Sequence, residues 1–143
     1  MAINTSKVIV GGIVGGIVAN VIDFVGNSFI LGGMHQAEMT KLNPALAVAP
    51  SGGQIAGFVI FDIIWIMTAV WIYAAIRPRF GPGPKTAVYA AVASWLIGSS
   101  VAGFFWMLGM FGTHLFFASA VLELVNAIVS TLVGAWLYTE EPA

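Results

Sequence analysis

Three acidic residues lie within long apolar stretches of this chain: Asp23, Asp62 and Glu123. No Lys or Arg accompanies them inside those stretches. A charged side chain facing lipid costs at least about 2.5 kcal/mol, so acids in such segments face other helices or a water-filled cavity and often belong to ion or proton pathways. These three residues are therefore the first candidates for chemistry.

Two carboxamides accompany the acids at helical spacing. Asn27 follows Asp23 by four residues, and Asn126 follows Glu123 by three, so each pair shares one face of a helix. Because carboxyl and carboxamide oxygens suit protons and hard cations, we predict an ion- or proton-binding site made of these residues and Asp62. The competing interpretation is structural: protonated carboxyls would join helices through hydrogen bonds, each contributing about 0.6 kcal/mol.

The composition indicates the class of protein that must position these side chains. The chain has 143 residues, of which 59% are hydrophobic and only 8% are charged, whereas soluble domains are about one quarter charged. Too few polar side chains exist to cover a water-soluble globule, so we predict an all-α integral membrane protein in contact with the lipid bilayer. The net charge of -1 gives no basic surface for nucleic acid, and the absence of cysteine excludes thiol chemistry.

Four apolar stretches are long enough to span a bilayer, which requires about 20 residues. We predict a single transmembrane domain, an antiparallel up-down four-helix bundle, with spans at about 8–31, 54–76, 86–111 and 115–138. Residues 32–53 form the longest connection, and Pro44 and Pro50 predict that it is irregular.

The basic residues predict the orientation of the bundle. The hinge at 77–85 holds three of the five basic side chains, and basic loops remain on the cytoplasmic side of a membrane. Four spans then place both termini in the cytoplasm, where Lys7 also lies, and leave only Lys41 outside. Each of the three acids lies eight residues from the outer end of its span, so all three share a depth of about 12 Å.

Small residues in the first span predict close helix packing. Gly11 and Gly15 repeat at a spacing of four residues, as do Gly12 and Gly16. Such patterns allow two backbones to approach closely, either within the bundle or, through Gly11 and Gly15, between two copies of the chain. A bundle this small has little interior, so we expect a homo-oligomer or partner membrane subunits.

The segment from Trp71 to Thr86, together with the small-residue first helix, resembles small bacterial inner-membrane proteins of four helices whose activity is not established. The resemblance extends over most of the chain. It implies a bacterial cytoplasmic (inner) membrane as the setting and transfers no functional residue.

Other kinds of chemistry have weaker support in the sequence. His35, Glu38 and His114 lie in the connections, where no pattern fixes their distances, so we predict no metal site and no cofactor. Signatures of enzymes are lacking, and we expect a protein that is not an enzyme. The favoured function is a proton- or cation-binding transporter or channel. The alternative is a non-catalytic accessory or scaffold subunit of a larger membrane complex.

Overall fold

The computed structural model describes residues 3–140, and within that range the protein is all-helical, without strands. Its five α-helices are α1 (Thr5–Val25), α2 (Gly32–Leu42), α3 (Gly52–Phe80), α4 (Pro84–Met107) and α5 (Thr113–Trp136). A π-helical turn, Gly26–Ile30, extends α1, and a short 3-10 turn, Pro44–Leu46, follows α2. Four helices are long and apolar enough to cross a membrane, namely α1 with its extension, α3, α4 and α5.

Helix α1 packs against α3 through glycines. A methyl group added at Gly12 would lie 2.5 Å from the Cβ atom of Met67, and one added at Gly16 would lie 2.6 Å from the Cα atom of Ile63. Residue numbers rise along α1 as they fall along α3, so the two helices run in opposite directions at this contact.

The other two glycines of α1 face α5. A methyl group at Gly11 would lie 2.5 Å from the carbonyl oxygen of Gly134, and one at Gly15 would lie 2.6 Å from that of Ser130. All four glycines are therefore used within one chain, because both glycine pairs are buried. The alternative role of Gly11 and Gly15 as a contact between two copies does not fit this packing.

The end of the bundle that carries the basic hinge is closed by polar and aromatic contacts. Tyr73 of α3 meets Tyr138 edge to face, with ring centroids 5.9 Å apart. The hydroxyl of Tyr138 accepts a hydrogen bond from the backbone N–H of Asn4 at 3.2 Å, and Arg77 pairs with Glu140 at 3.0 Å. These contacts join both ends of the described chain to α3.

Helix α3 extends past its predicted end at residue 76, through Pro78 to Phe80. Proline removes one hydrogen bond near the end of a helix, and the turn that follows is held by the N–H of Gly81, which donates to Arg77 O at 2.8 Å. The chain reverses at Gly81 because this residue adopts a φ of +83°, which favours glycine.

The connection at 32–53 also differs from its prediction, since half of it is the helix α2. This segment contains good helix formers, and it ends where Asn43 precedes Pro44. Helix α4 ends at Met107, before its predicted end at residue 111, and Gly109 in the following turn has a φ of +76°.

Candidate functional site

A partly enclosed cavity of about 640 Å³ lies in the half of the bundle opposite the basic hinge. All five helices contribute to its wall, which is mainly apolar. Its acidic side chains are Asp23 from α1, Asp62 from α3 and Glu123 from α5. The structure therefore brings the three acids predicted from the sequence into one pocket, which we call the acidic pocket.

Two of the acids lie close together. The carboxyl groups of Asp23 and Glu123 lie within hydrogen-bonding reach of each other. A hydrogen bond between two carboxyls requires that one of them carries a proton, because an ionised carboxylate is only an acceptor. Two carboxyls at this separation can share one proton between α1 and α5.

Asn126 holds this pair in place. Its Nδ2 atom donates to Asp23 Oδ1 at 2.6 Å and lies 3.3 Å from the carbonyl oxygen of Ala19, while its Oδ1 atom accepts from Ser130 Oγ at 2.8 Å. Asn126 and Ser130 are both buried. The carboxamide therefore has a fixed direction, with its donor atom turned towards the acid.

Asp62 joins the pocket from α3. Its side chain is half-buried, and its charge is close enough to act on those of Asp23 and Glu123. One helical turn further, Trp65 leans across to α4, where a methyl group added at Gly98 would lie 2.8 Å from the indole. Asp62 thus contributes negative charge next to an aromatic wall.

The acids do not form a metal centre. Among residues 3–140, no three His, Asp or Glu side chains converge closely enough to hold a metal ion. A hard cation such as Ca²⁺ requires six to eight oxygen ligands at about 2.3–2.6 Å.

Asn27 was predicted to share the site but lies outside the wall of the acidic pocket. Its Oδ1 atom is 3.1 Å from Nε2 of His35. The prediction relied on α-helical spacing from Asp23, whereas Asn27 belongs to the π-helical turn, in which Leu31 N–H donates to Gly26 O at 2.9 Å. A π-turn alters the angle between successive side chains, so the predicted stripe ends before Asn27.

His35 is a pocket residue that the sequence did not identify as one. It comes from α2, and burial lowers its pKa below the ordinary value for histidine, which favours the neutral ring. Its distance from the acids depends on how α2 folds over the bundle. No residue pattern in a connecting segment indicates that path.

Glu38 fixes helix α2 over the end of the bundle that lies opposite the basic hinge. Its Oε2 atom accepts a hydrogen bond from the backbone N–H of Gly112 at 3.1 Å, and Lys41 donates to its Oε1 atom at 2.7 Å. Gly112 precedes α5, so this contact ties α2 to the α4–α5 turn and keeps His35 at the pocket.

Trp95 and Ser119 are two further residues of the pocket wall. Trp95 of α4 donates from Nε1 to the carbonyl oxygen of Ala120 at 2.9 Å, which fixes its indole at the pocket. Ser119 has a buried hydroxyl oxygen without a hydrogen-bond partner among the described residues. Aromatic residues are common at membrane interfaces, so the sequence alone did not distinguish Trp95 as a wall residue.

No protein family, curated protein or solved structure matches this chain. The assignment of function therefore depends on the chemistry of the acidic pocket.

Proposed function

We propose that the protein is a small integral membrane transporter that binds a proton or a cation in the acidic pocket. The observation that carries this proposal is the Asp23–Glu123 carboxyl pair, held by Asn126 at the wall of a cavity. The side chain of Glu123 is exposed, and those of Asp23 and Asp62 are half-buried. A transporter requires a path from water to its acids, whereas acids that only join helices can stay dry.

The proposed setting is the bacterial inner membrane, with four antiparallel spans and both termini in the cytoplasm. In this orientation the hinge with Arg77, Arg79 and Lys85 lies inside. The acidic pocket then belongs to the outer half of the bundle, and the contact between Tyr73 and Tyr138 closes the inner end. Transport would require that inner contact to open after the acids have been loaded.

A second candidate is a scaffold or accessory subunit, and the surface of α3 favours it. Residues 52–61 of α3 are all exposed, including Phe58, although the same helix is buried further along at Ile66 and Ala69. An apolar helix face that is exposed over this length can pack against a second copy or another membrane subunit.

Ion flux in liposomes tests the proposed transport. Purified protein is reconstituted with a pH-sensitive dye inside, and proton, Na⁺ or K⁺ gradients are imposed. We expect the wild type to dissipate at least one gradient, and Asp23→Asn or Glu123→Gln to abolish the flux. Glu140→Gln is the matched control, because this carboxyl pairs with Arg77 away from the pocket.

Two results decide between the candidates. If the wild type moves no ion and the variants change only the co-purification of membrane partners, the scaffold function replaces the transporter. If flux is present but unchanged in folded Asp23→Asn and Glu123→Gln proteins, the carboxyl pair is not the transport site.

A further inference from the structure

The acidic pocket is much larger than a proton or a bare ion requires. Its volume of about 640 Å³ lies within the range of about 300–1,000 Å³ that is typical of sites for small organic molecules. A water molecule occupies about 30 Å³ in the liquid. The cavity therefore has room for an organic molecule beside the carboxyl pair.

The charge of the wall favours a cationic occupant. The pocket contains Asp23, Asp62 and Glu123 but no Lys or Arg, and its one other titratable side chain is His35. No three such groups converge as metal ligands among residues 3–140, and every ionised carboxyl makes the wall negative. Charge of this kind suits a bulky cation that does not require a tight shell of oxygen ligands.

Aromatic side chains supply the second part of the recognition. Trp65 and Trp95 face the cavity from α3 and α4, and Phe116 adds a ring from α5. Organic cations bind over aromatic faces, most strongly over tryptophan and where water is excluded. Phe61 stacks with Trp65 at 6.5 Å between ring centroids and extends the aromatic wall towards the exposed part of α3.

The open side of the cavity is itself apolar. Phe61 of α3 and Ile97 and Val101 of α4 line the pocket, and their side chains are also among the exposed hydrophobic residues of the protein. These two helices are candidate membrane spans, and apolar side chains that are exposed on such spans face the lipid. An occupant that enters here must be soluble in the bilayer.

We propose that the acidic pocket binds a lipophilic organic cation of the quaternary ammonium or phosphonium class, which enters from the lipid between α3 and α4. The positive centre lies at the Asp23–Glu123 pair, and the apolar groups lie against Trp65 and Trp95. This inference names the substrate class of the transporter and rests on the proposed function.

Binding of tetraphenylphosphonium to the full-length protein in lipid nanodiscs tests the inference. The measurement is isothermal titration calorimetry against empty nanodiscs, with triphenylphosphine oxide as a neutral ligand of related shape. We expect saturable binding of the cation only. The double variant Asp23→Asn, Glu123→Gln should bind at least about tenfold more weakly, because it removes the negative charge at the centre of the site.

The aromatic wall is tested without changing the acids. Trp65→Leu should weaken binding by about tenfold and Trp65→Phe by less, because phenylalanine retains an aromatic face. Trp71→Leu is the matched control, since this residue lies on the same helix but is exposed and absent from the pocket wall. Equal binding of wild type and Trp65→Leu, or equal binding of the neutral ligand, overturns the inference.

The liposome assay separates this inference from the proposed function. If proton flux depends on Asp23 but tetraphenylphosphonium binds no more tightly than to empty nanodiscs, the substrate class is wrong and the transporter remains. If tetraphenylphosphonium binds saturably and depends on Trp65 while no ion or cation moves across the bilayer, the binding site is supported and transport fails.

Discussion

The carboxamide of Asn126 shows how one buried residue directs the acidic pair. Its donor atom faces Asp23 because its acceptor atom is occupied by Ser130. Without Asn126, Asp23 would keep only Glu123 as a side-chain partner in its immediate surroundings. The residue therefore acts as a positioning group, and its effect on stability can be measured apart from transport.

Replacement of this residue gives the first prediction. Asn126→Ala should lower the free energy of unfolding by about 1 kcal/mol, within the range of about 0.6–1.7 kcal/mol for hydrogen bonds between membrane helices. The measurement is unfolding by SDS in mixed micelles.

The exchanged pair, Asp23→Asn with Asn126→Asp, keeps one carboxyl and one carboxamide in contact. It should lose less stability than the two single changes together, and strict additivity would contradict the contact.

His35 gives a prediction about pH. Burial lowers the pKa of the folded-state ring, so below about 6.5 the unfolded chain binds this proton more readily than the folded chain does. Above about pH 6.5 the ring is neutral in both states, and the free energy of unfolding keeps its full value. As the pH falls from there through the lowered folded-state pKa, the unfolded chain is protonated first and the free energy of unfolding decreases. We expect His35→Gln to flatten the loss of stability between pH 7 and pH 5.

The control for this prediction is His114→Gln, which changes an exposed histidine at the start of α5. It removes a histidine side chain that lies outside the pocket wall, so a change that both variants share is not due to the burial of His35. The acids of the pocket titrate in both proteins, so the difference between the two variants isolates His35. An unchanged profile for His35→Gln would show that its ring is not buried.

Helix α1 is shaped by its two glycine faces, which bring α3 and α5 close enough to form the bundle. Gly15 lies against the backbone of α5 at Ser130, and backbone atoms cannot move aside as a flexible side chain can. Close approach at this point also sets the distance between Asp23 and Glu123, two turns further along the same helix pair. The packing of small residues and the geometry of the acids are therefore linked.

Gly15→Ala tests this link. The added methyl group would lie 2.6 Å from Ser130 O, so the helices must separate, and we expect a loss of about 1–3 kcal/mol in the SDS unfolding assay. Gly57→Ala is the matched control, because nothing lies within 4 Å of its added methyl group. It should be neutral or stabilise the protein by up to about 1 kcal/mol. Equal effects of the two changes would argue against the α1–α5 contact.

The sequence predicts the helical class and four membrane-length helices, because hydrophobicity and length report directly on transfer into a bilayer. Helix ends and connections depend on weaker local effects. Helix α3 was expected to end at residue 76 but continues through Pro78 to Phe80, and the segment after Leu31 was expected to be irregular but forms α2. A few hydrogen bonds decide each of these cases, and hydropathy does not measure them.

For the pocket, the sequence located the charged residues better than their neighbours. Asp23, Asp62 and Glu123 stand out because charge is rare in apolar segments, and the structure places them around one cavity. Asn27 was misplaced because a π-turn interrupts the helical spacing, and His35 was missed because it reaches the pocket through a connecting helix. Regular helical spacing contains neither the π-turn nor the path of α2 over the bundle.

The whole molecule is asymmetric between its two ends. One end is joined by Tyr73, Tyr138 and the Arg77–Glu140 pair, and the other contains the open acidic pocket beneath α2. Loading starts at the end of the bundle that contains the pocket, whether the occupant comes from water or from the lipid of that leaflet, so the direction of loading depends on which end faces the cytoplasm. The orientation of the protein in the membrane therefore decides from which side the acidic pocket is loaded.

Cysteine labelling in intact cells tests this orientation. The chain has no cysteine, so Thr40→Cys in α2 and Pro82→Cys in the hinge each introduce a single thiol, and both positions are exposed. With both termini in the cytoplasm, a membrane-impermeant maleimide should label Thr40→Cys in intact spheroplasts and Pro82→Cys only after permeabilisation. The reverse pattern would place the basic hinge outside, against the charge bias of cytoplasmic loops, and would open the acidic pocket towards the cytoplasm. Loading would then start from within the cell, and the same carboxyl pair would serve export.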